Sequence, residues 1–278
     1  KIPELWNPDT GAREEVALYH EVNGRTTLPI HFDPVGSVFV VFRRAASASP
    51  PITSAELDGK ALFTGGDDSP AEVPTLSQGK ISLTAWKAGS YRFTMGTGQT
   101  RMAEIPPLPG PIELGGPWQI TFPPKLGAPE SATLDHLISW TDSPVEGIMH
   151  FSGTATYEKD FTLPDAFLAG DRRAYLDFGR VKNLADVTLN GKPLGILWKE
   201  PFRVEITRAA RPGANHLTLK ITNLWPNRLI GDQGLPEAQR VTWASVSLYK
   251  ADSPLLPSGL LGPVSVISSE TVELSGAQ

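Results

Sequence analysis

The chain has 278 residues, with 25 lysines and arginines against 30 aspartates and glutamates and a net charge of −5. That balance provides no basic face for polyphosphate, which argues against nucleic acid and anionic membrane as partners. No run approaches the roughly 18 apolar residues of a membrane span, and the absence of cysteine excludes disulfides, zinc–thiolate sites and thiol nucleophiles.

The 26 glycines and 26 prolines fall in short clusters that punctuate runs of β-branched and aromatic residues. This spacing predicts an all-β protein built of sandwiches or barrels. In the first third, strands are expected over Ser37–Phe42, Ile81–Trp86 and Ser90–Met95. Further on they are expected over Trp118–Phe122, Ala155–Phe161, Ala174–Phe178 and His216–Thr222. Most alternate apolar with polar residues, as a half-buried sheet face requires. No stretch sustains a helical period for three turns; short helical turns are expected over Ala128–Leu134 and Asp165–Ala169.

Ile105-Pro-Pro-Leu-Pro-Gly-Pro111 reads as a stiff extended connection, placing a domain boundary there: residues 1–109 a small β-sandwich, residues 110–278 a second one. Arg44–Pro51 reads as an exposed loop. Asp58-Gly59 and Asn190-Gly191 supply the positive φ angles of two-residue hairpin turns. Their dissimilar surroundings argue against an internal repeat. The chain opens on Lys1 rather than Met with no charged-then-apolar leader behind it, so it is expected to be a piece of something larger.

Among groups that carry chemistry, Glu146, Glu158, Glu200 and Asp232 are the candidate members of a glycosidase carboxylate pair. Their number is what chance supplies, and solvated or loop-capping roles are the better reading. His150 is placed at a loop rim, and no His-x-x-x-His or carboxylate cluster marks a metal site. Asp67-Asp68 are of a kind that attracts calcium, so a structural calcium ion is left open, but the EF-hand spacing is missing and a polar turn is preferred. No Gly-x-Ser-x-Gly elbow is found. Trp225, Asn227, Arg228 and Asp232 combine an aromatic plate with planar polar groups, the demand of sugar recognition, and Trp198 and Trp140 are assigned to loops nearby. The competing reading makes Trp225 a plug of the sandwich end and Arg228–Asp232 a pair that holds the turn. Trp6, Trp86, Trp118 and Trp243 sit in strand-like patterns and are expected in the core.

The stretch Tyr175–Gly179, Ala185–Gly195 with its Asn-Gly hairpin, Pro201-Phe202 to Ile206-Thr207, and Gly213-Ala-Asn-His-Leu217 resembles the sugar-binding domain of glycoside hydrolase family 2. Asn223–Asp232, Leu137–Thr141, Phe151–Tyr157 and Ser253–Pro263, with Leu5–Gly11 and Ser37–Phe42 upstream, are similar to the C-terminal region of the family 106 α-L-rhamnosidases. The resemblance implies a small immunoglobulin-like domain followed by a galactose-binding-like jelly roll. It also implies a parent hydrolase, periplasmic or secreted, that inverts α-L-rhamnosyl linkages using two carboxylates and a calcium ion in a barrel. No segment here matches that barrel, and no catalytic residue is carried over. The expected partners are the rest of the parent chain and a rhamnose-containing glycan. The expected role is a non-catalytic accessory region, against two alternatives: an autonomous carbohydrate-binding module and a spacer without ligand.

Overall fold

The computed structural model describes residues 1–45, 51–64, 69–77, 80–246 and 248–275. The architecture is all-β, as the punctuation of the sequence predicts, and the chain divides into two compact units.

Unit 1 comprises Lys1–Gly110, Ala169–Arg173 and Ser268–Gln278. One antiparallel sheet runs Thr100–Ile105, Gly89–Met95, Ile52–Leu57, Lys60–Ala61. Strict alternation along Gly89–Met95 sends Tyr91, Phe93 and Met95 inward and Arg92 outward. These side chains pack with Ile52, Ala55, Ile81 and Leu83 to form the core. The buried Tyr91 hydroxyl donates to the carbonyls of Lys87 and Pro70, which satisfies its polar end. Lys80–Ala85 pairs on one side with Thr75–Ser77 and on the other with Glu270–Ser275 of the last strand. The last described strand therefore pairs within unit 1 through Ser275, whereas the sequence reading runs the second domain on to residue 278. The pairing of Glu270 with Ala85 links residues 185 positions apart in sequence, and no local pattern reports it.

Unit 2 comprises Pro111–Leu168 and Ala174–Ile267. Its main sheet has six antiparallel strands in the order Ser131–Leu134, Trp118–Thr121, Thr154–Leu163, Gly213–Thr222, Leu184–Leu189, Lys192–Leu197. The two central ten-residue strands pair in full register from Thr154↔Thr222 to Leu163↔Gly213. Ala155, Tyr157, Leu219, Ile221, Ala185 and Val187 all point into one core, together with Leu176, Phe178, Val181 and Leu260. The Asn190-Gly191 hairpin forms as read from the sequence: φ is +52° and +77° at its two residues, the type I′ geometry that matches strand twist. A Cβ added at Gly191 meets nothing within 4 Å, so the cost of Gly191→Ala is conformational alone. It should lower stability by about 1–2 kcal/mol, read as a fall in the urea midpoint at unchanged slope; an unchanged midpoint would refute the turn assignment.

Two local expectations fail. Residues 128–134 hold a strand, Ser131–Leu134, not a helical turn; its alternate residues face Trp118–Thr121, and pairing outweighs its helix formers. Conversely, the segment after Asn223 is a two-turn helix, Pro226–Gln233. The expected turn at Asp165 forms as a 3₁₀ helix, Asp165–Leu168. The Arg44–Pro51 loop falls largely outside the described residues, as do Asp67 and Asp68.

Candidate functional site

The helix Pro226–Gln233 starts with proline at its first position, where a missing N–H costs nothing, and it is held by its polar side chains. Asn227, Arg228 and Asp232 are all buried. The Asn227 amide donates to the Leu256 carbonyl at 2.7 Å while its oxygen accepts from the Leu256 N–H at 2.8 Å, a two-point clasp on a distant loop. The Arg228 guanidinium reaches Asp232 at 2.8 Å, and the Arg228 N–H donates to Ser152 Oγ, which itself donates to the Leu224 carbonyl. Asp232 also accepts from the Val241 N–H, the Thr242 N–H and the Thr242 hydroxyl at 3.3, 2.8 and 2.6 Å. Burial alone would raise the Asp232 pKa; those hydrogen bonds and the Arg228 charge outweigh it and hold the carboxyl below its ordinary range. Glycines make room for the pair: a Cβ on Gly127 would lie 2.7 Å from Arg228 Nη1.

The helix thus buries three polar side chains together with Pro226 and Ile230, and large apolar side chains on the segments that flank it stand in solvent: Leu224 and Trp225 just before it, Leu256 on the clasped loop, and Trp243, Val246 and Leu248 on the segment that Asp232 anchors. No charged residue occurs from Val241 to Tyr249.

Of the residues expected to contact sugar, the structure leaves Trp225 (75% exposed) and Trp198 (56%) accessible. It removes four. Asn227, Arg228 and Asp232 are occupied with one another and with backbone, in line with the turn-holding half of the competing reading, whereas Trp225, 75% exposed, does not plug the sandwich end. Trp140 is no rim residue: it is 1% exposed, its indole N–H donates to the Tyr157 hydroxyl at 2.6 Å, and Phe122 and Phe151 meet it edge-on. The reverse error concerns Trp243, expected in the core and 83% exposed. Trp118 is core; Trp86 is half-buried, as is Trp6, whose ring lies beneath the Arg13 and Arg43 guanidiniums at 4.3 and 4.9 Å. Glu146, Glu158 and Glu200 are exposed on separate elements, and His150 is half-buried. Among the described residues no three histidines or carboxylates are grouped to hold a metal ion.

Trp198 follows Lys192–Leu197, the edge strand of the six-stranded sheet. Leu197 pairs with the buried Ala185, so alternation puts Ile196 on the sheet's outer face, and Trp198, one residue past the strand's end, stands exposed at that edge. Register continues that face across the strands: Ile196↔Asp186, Asp186↔Lys220, Lys220↔Thr156, Thr156↔Thr121. In the flanking row the Thr154 and Thr222 hydroxyls meet at 2.7 Å, beside the exposed Leu184. Alternation in the sequence marks the outward residues of each strand, but the row itself depends on long-range pairings that no local pattern reports.

The fold is all-β, with antiparallel sheets in each unit. Residues 145–244 match the family model described as glycosyl hydrolase 2 galactose-binding domain-like. The structure is similar to that of a rhamnosidase from Novosphingobium sp. PP1Y, at 35% identity and a TM-score of 0.68, over 96% of this chain and 20% of that one. A protein of Formosa agariphila, provisionally named a β-glucuronidase, is 35% identical over 231 residues, which is 75% of this chain and 20% of the relative. The chain thus spans about a fifth of the length of the proteins it matches.

Proposed function

We propose that this chain is a non-catalytic accessory region of a rhamnosidase-type glycoside hydrolase, of the family 106 kind. The observation that carries the reading is the extent of the match to the Novosphingobium rhamnosidase: nearly the whole chain, both units included, corresponds to one fifth of that enzyme. The exposed Leu224, Trp225, Trp243, Val246, Leu248 and Leu256 on the segments flanking the helix support a buttressing role, since exposed apolar surface is what an associating face requires. The rest of a parent hydrolase is then its partner, and a periplasmic or secreted setting goes with the same reading. The small first domain is read as immunoglobulin-like and the second as a jelly roll. A structural calcium ion has no ligand group in support of it among the described residues.

The chain alone is expected to release no rhamnose from an aryl α-L-rhamnoside and no glucuronic acid from an aryl β-glucuronide. Steady release of either by the pure protein, lost with one carboxylate variant, would overturn the accessory role. The second reading, a carbohydrate-binding module, is favoured by a specific observation: Trp198 is 56% exposed beside the exposed Ile196, at the edge of the six-stranded sheet.

A further inference from the structure

We infer that the outer face of the six-stranded sheet is a glycan-binding strip that starts at Trp198 and crosses the strands through Asp186, Lys220, Thr156 and Thr121. The inference rests on the reading of the chain as part of a glycoside hydrolase, and names where and how it would hold carbohydrate.

Three features of the face fit a neutral or weakly charged pyranoside chain. The first is the plate at its edge. Trp198 is more than half exposed beside the exposed Ile196, and the Lys199 ammonium lies over the indole ring, 5.6 Å from its centroid, so one face of the plate carries a cation and stacking on sugar falls to the other. An indole of this kind stacks on the C–H face of a sugar ring. The second is the order of polar groups beyond it. Asp186 accepts, Lys220 donates, and the threonine hydroxyls do both, which matches vicinal sugar hydroxyls. Asp186 and Lys220 are direct cross-strand neighbours, so their charges offset one another and neither a polyanion nor a polycation is preferred. The third is length. Four strand spacings of about 4.8 Å carry the row from Ile196 to Thr121 over ~19 Å, the reach of a short oligosaccharide.

A protein partner suits this face poorly. Its apolar area is confined to the Trp198 end, whereas a protein interface concentrates apolar side chains at the centre of the patch. The surface around the helix Pro226–Gln233 has that apolar character; the sheet face does not.

The test is a titration of the chain with L-rhamnose, D-glucuronic acid, D-galactose and rhamnose-containing oligosaccharides of about two to six residues, followed by tryptophan fluorescence and amide chemical shifts. The expected result is saturable binding, stronger for oligosaccharides than for single sugars. Shifts should be confined to the outer-face rows. Affinity should fall at least tenfold in Trp198→Ala, and about three- to tenfold in Lys220→Ala, while Trp225→Ala binds as the parent does. Lys220 is exposed on the outer face, so its variant keeps the test open if Trp198→Ala folds badly. The proposal is overturned by the absence of saturable binding up to about 30 mM of any probe, or by binding that is lost in Trp225→Ala and kept in Trp198→Ala. Failure of the underlying accessory reading would show differently, as hydrolysis of the oligosaccharides during the titration.

Discussion

Asp232→Ala is expected to destabilise unit 2 by about 3–5 kcal/mol, the cost of leaving a buried guanidinium without its counter-ion. Arg228 already has one buried nitrogen, Nε, with no hydrogen-bond partner, so it has little capacity to compensate. The same substitution releases the Val241 and Thr242 N–H groups and unpins the segment that carries Trp243. For a unit of this size the loss corresponds to a drop of roughly 10 °C in Tm. The double change Arg228→Met with Asp232→Leu removes both charges together and should cost less than either single change. A drop below about 1 kcal/mol for Asp232→Ala in urea unfolding would sink the argument.

The pH dependence follows from the sign of the shift. The carboxyl of Asp232 is held below its ordinary range in the folded protein, so its contribution is fully present above the unfolded value of about 3.9 and is lost as pH falls through the lower, folded value. The stability gap between the parent and Asp232→Ala should therefore be constant near neutrality and close only in strong acid. A gap that closes between pH 6 and 5 would assign the effect to another group.

How much of this was legible beforehand depended on whether a residue's partners were local. The strands around Trp118, Tyr157 and Leu219 announce themselves by alternation, and Asn190-Gly191 by its turn chemistry, because each needs only its own neighbours in sequence. The helix Pro226–Gln233 does not. Its buried positions include Asn227, Arg228 and Asp232, so it lacks the apolar stripe by which helices are recognised; only its first-position proline and the i, i+4 spacing of Arg228 and Asp232 hinted at it. The tryptophans were legible as anchors and illegible as to face. Trp140 reads as a loop residue and Trp243 as part of a strand-like pattern, and what reverses them is a distant glycine under one and solvent around the other. The sheet-face row was hidden for the same reason: Asp186, Lys220 and Thr156 become neighbours only through pairings between residues 34 and 64 positions apart.

Trp140→Ala should be the other severe lesion, at about 3–5 kcal/mol, and the geometry says why it exceeds the loss of area alone. The indole is stacked on Tyr157 at 6.4 Å between ring centroids and lies edge-on to Phe122 and Phe151. Its N–H is one of two donors to the Tyr157 hydroxyl, the other being the Leu260 N–H at 3.3 Å. Burial drives the Tyr157 phenol well above its ordinary pKa, with those hydrogen bonds opposing the rise only in part. The hydroxyl therefore stays neutral and acts as the acceptor that ties the Trp140 turn to the Gly259–Gly262 strand. Gly259 completes the pocket: it adopts φ +95°, and a Cβ there would sit 2.7 Å from the indole nitrogen. Trp140→Phe keeps most of the packing but removes the donor and should cost about 1–2 kcal/mol. In Tyr157→Phe the indole N–H is already orphaned, so the further cost of Trp140→Phe should shrink, a coupling that a double-mutant cycle measures directly. Additive effects would mean that the hydrogen bond contributes nothing beyond packing. Trp140→Leu, which retains the fold's apolar core better than alanine, should leave any sugar-induced fluorescence change in place, because the responding indole is at the surface.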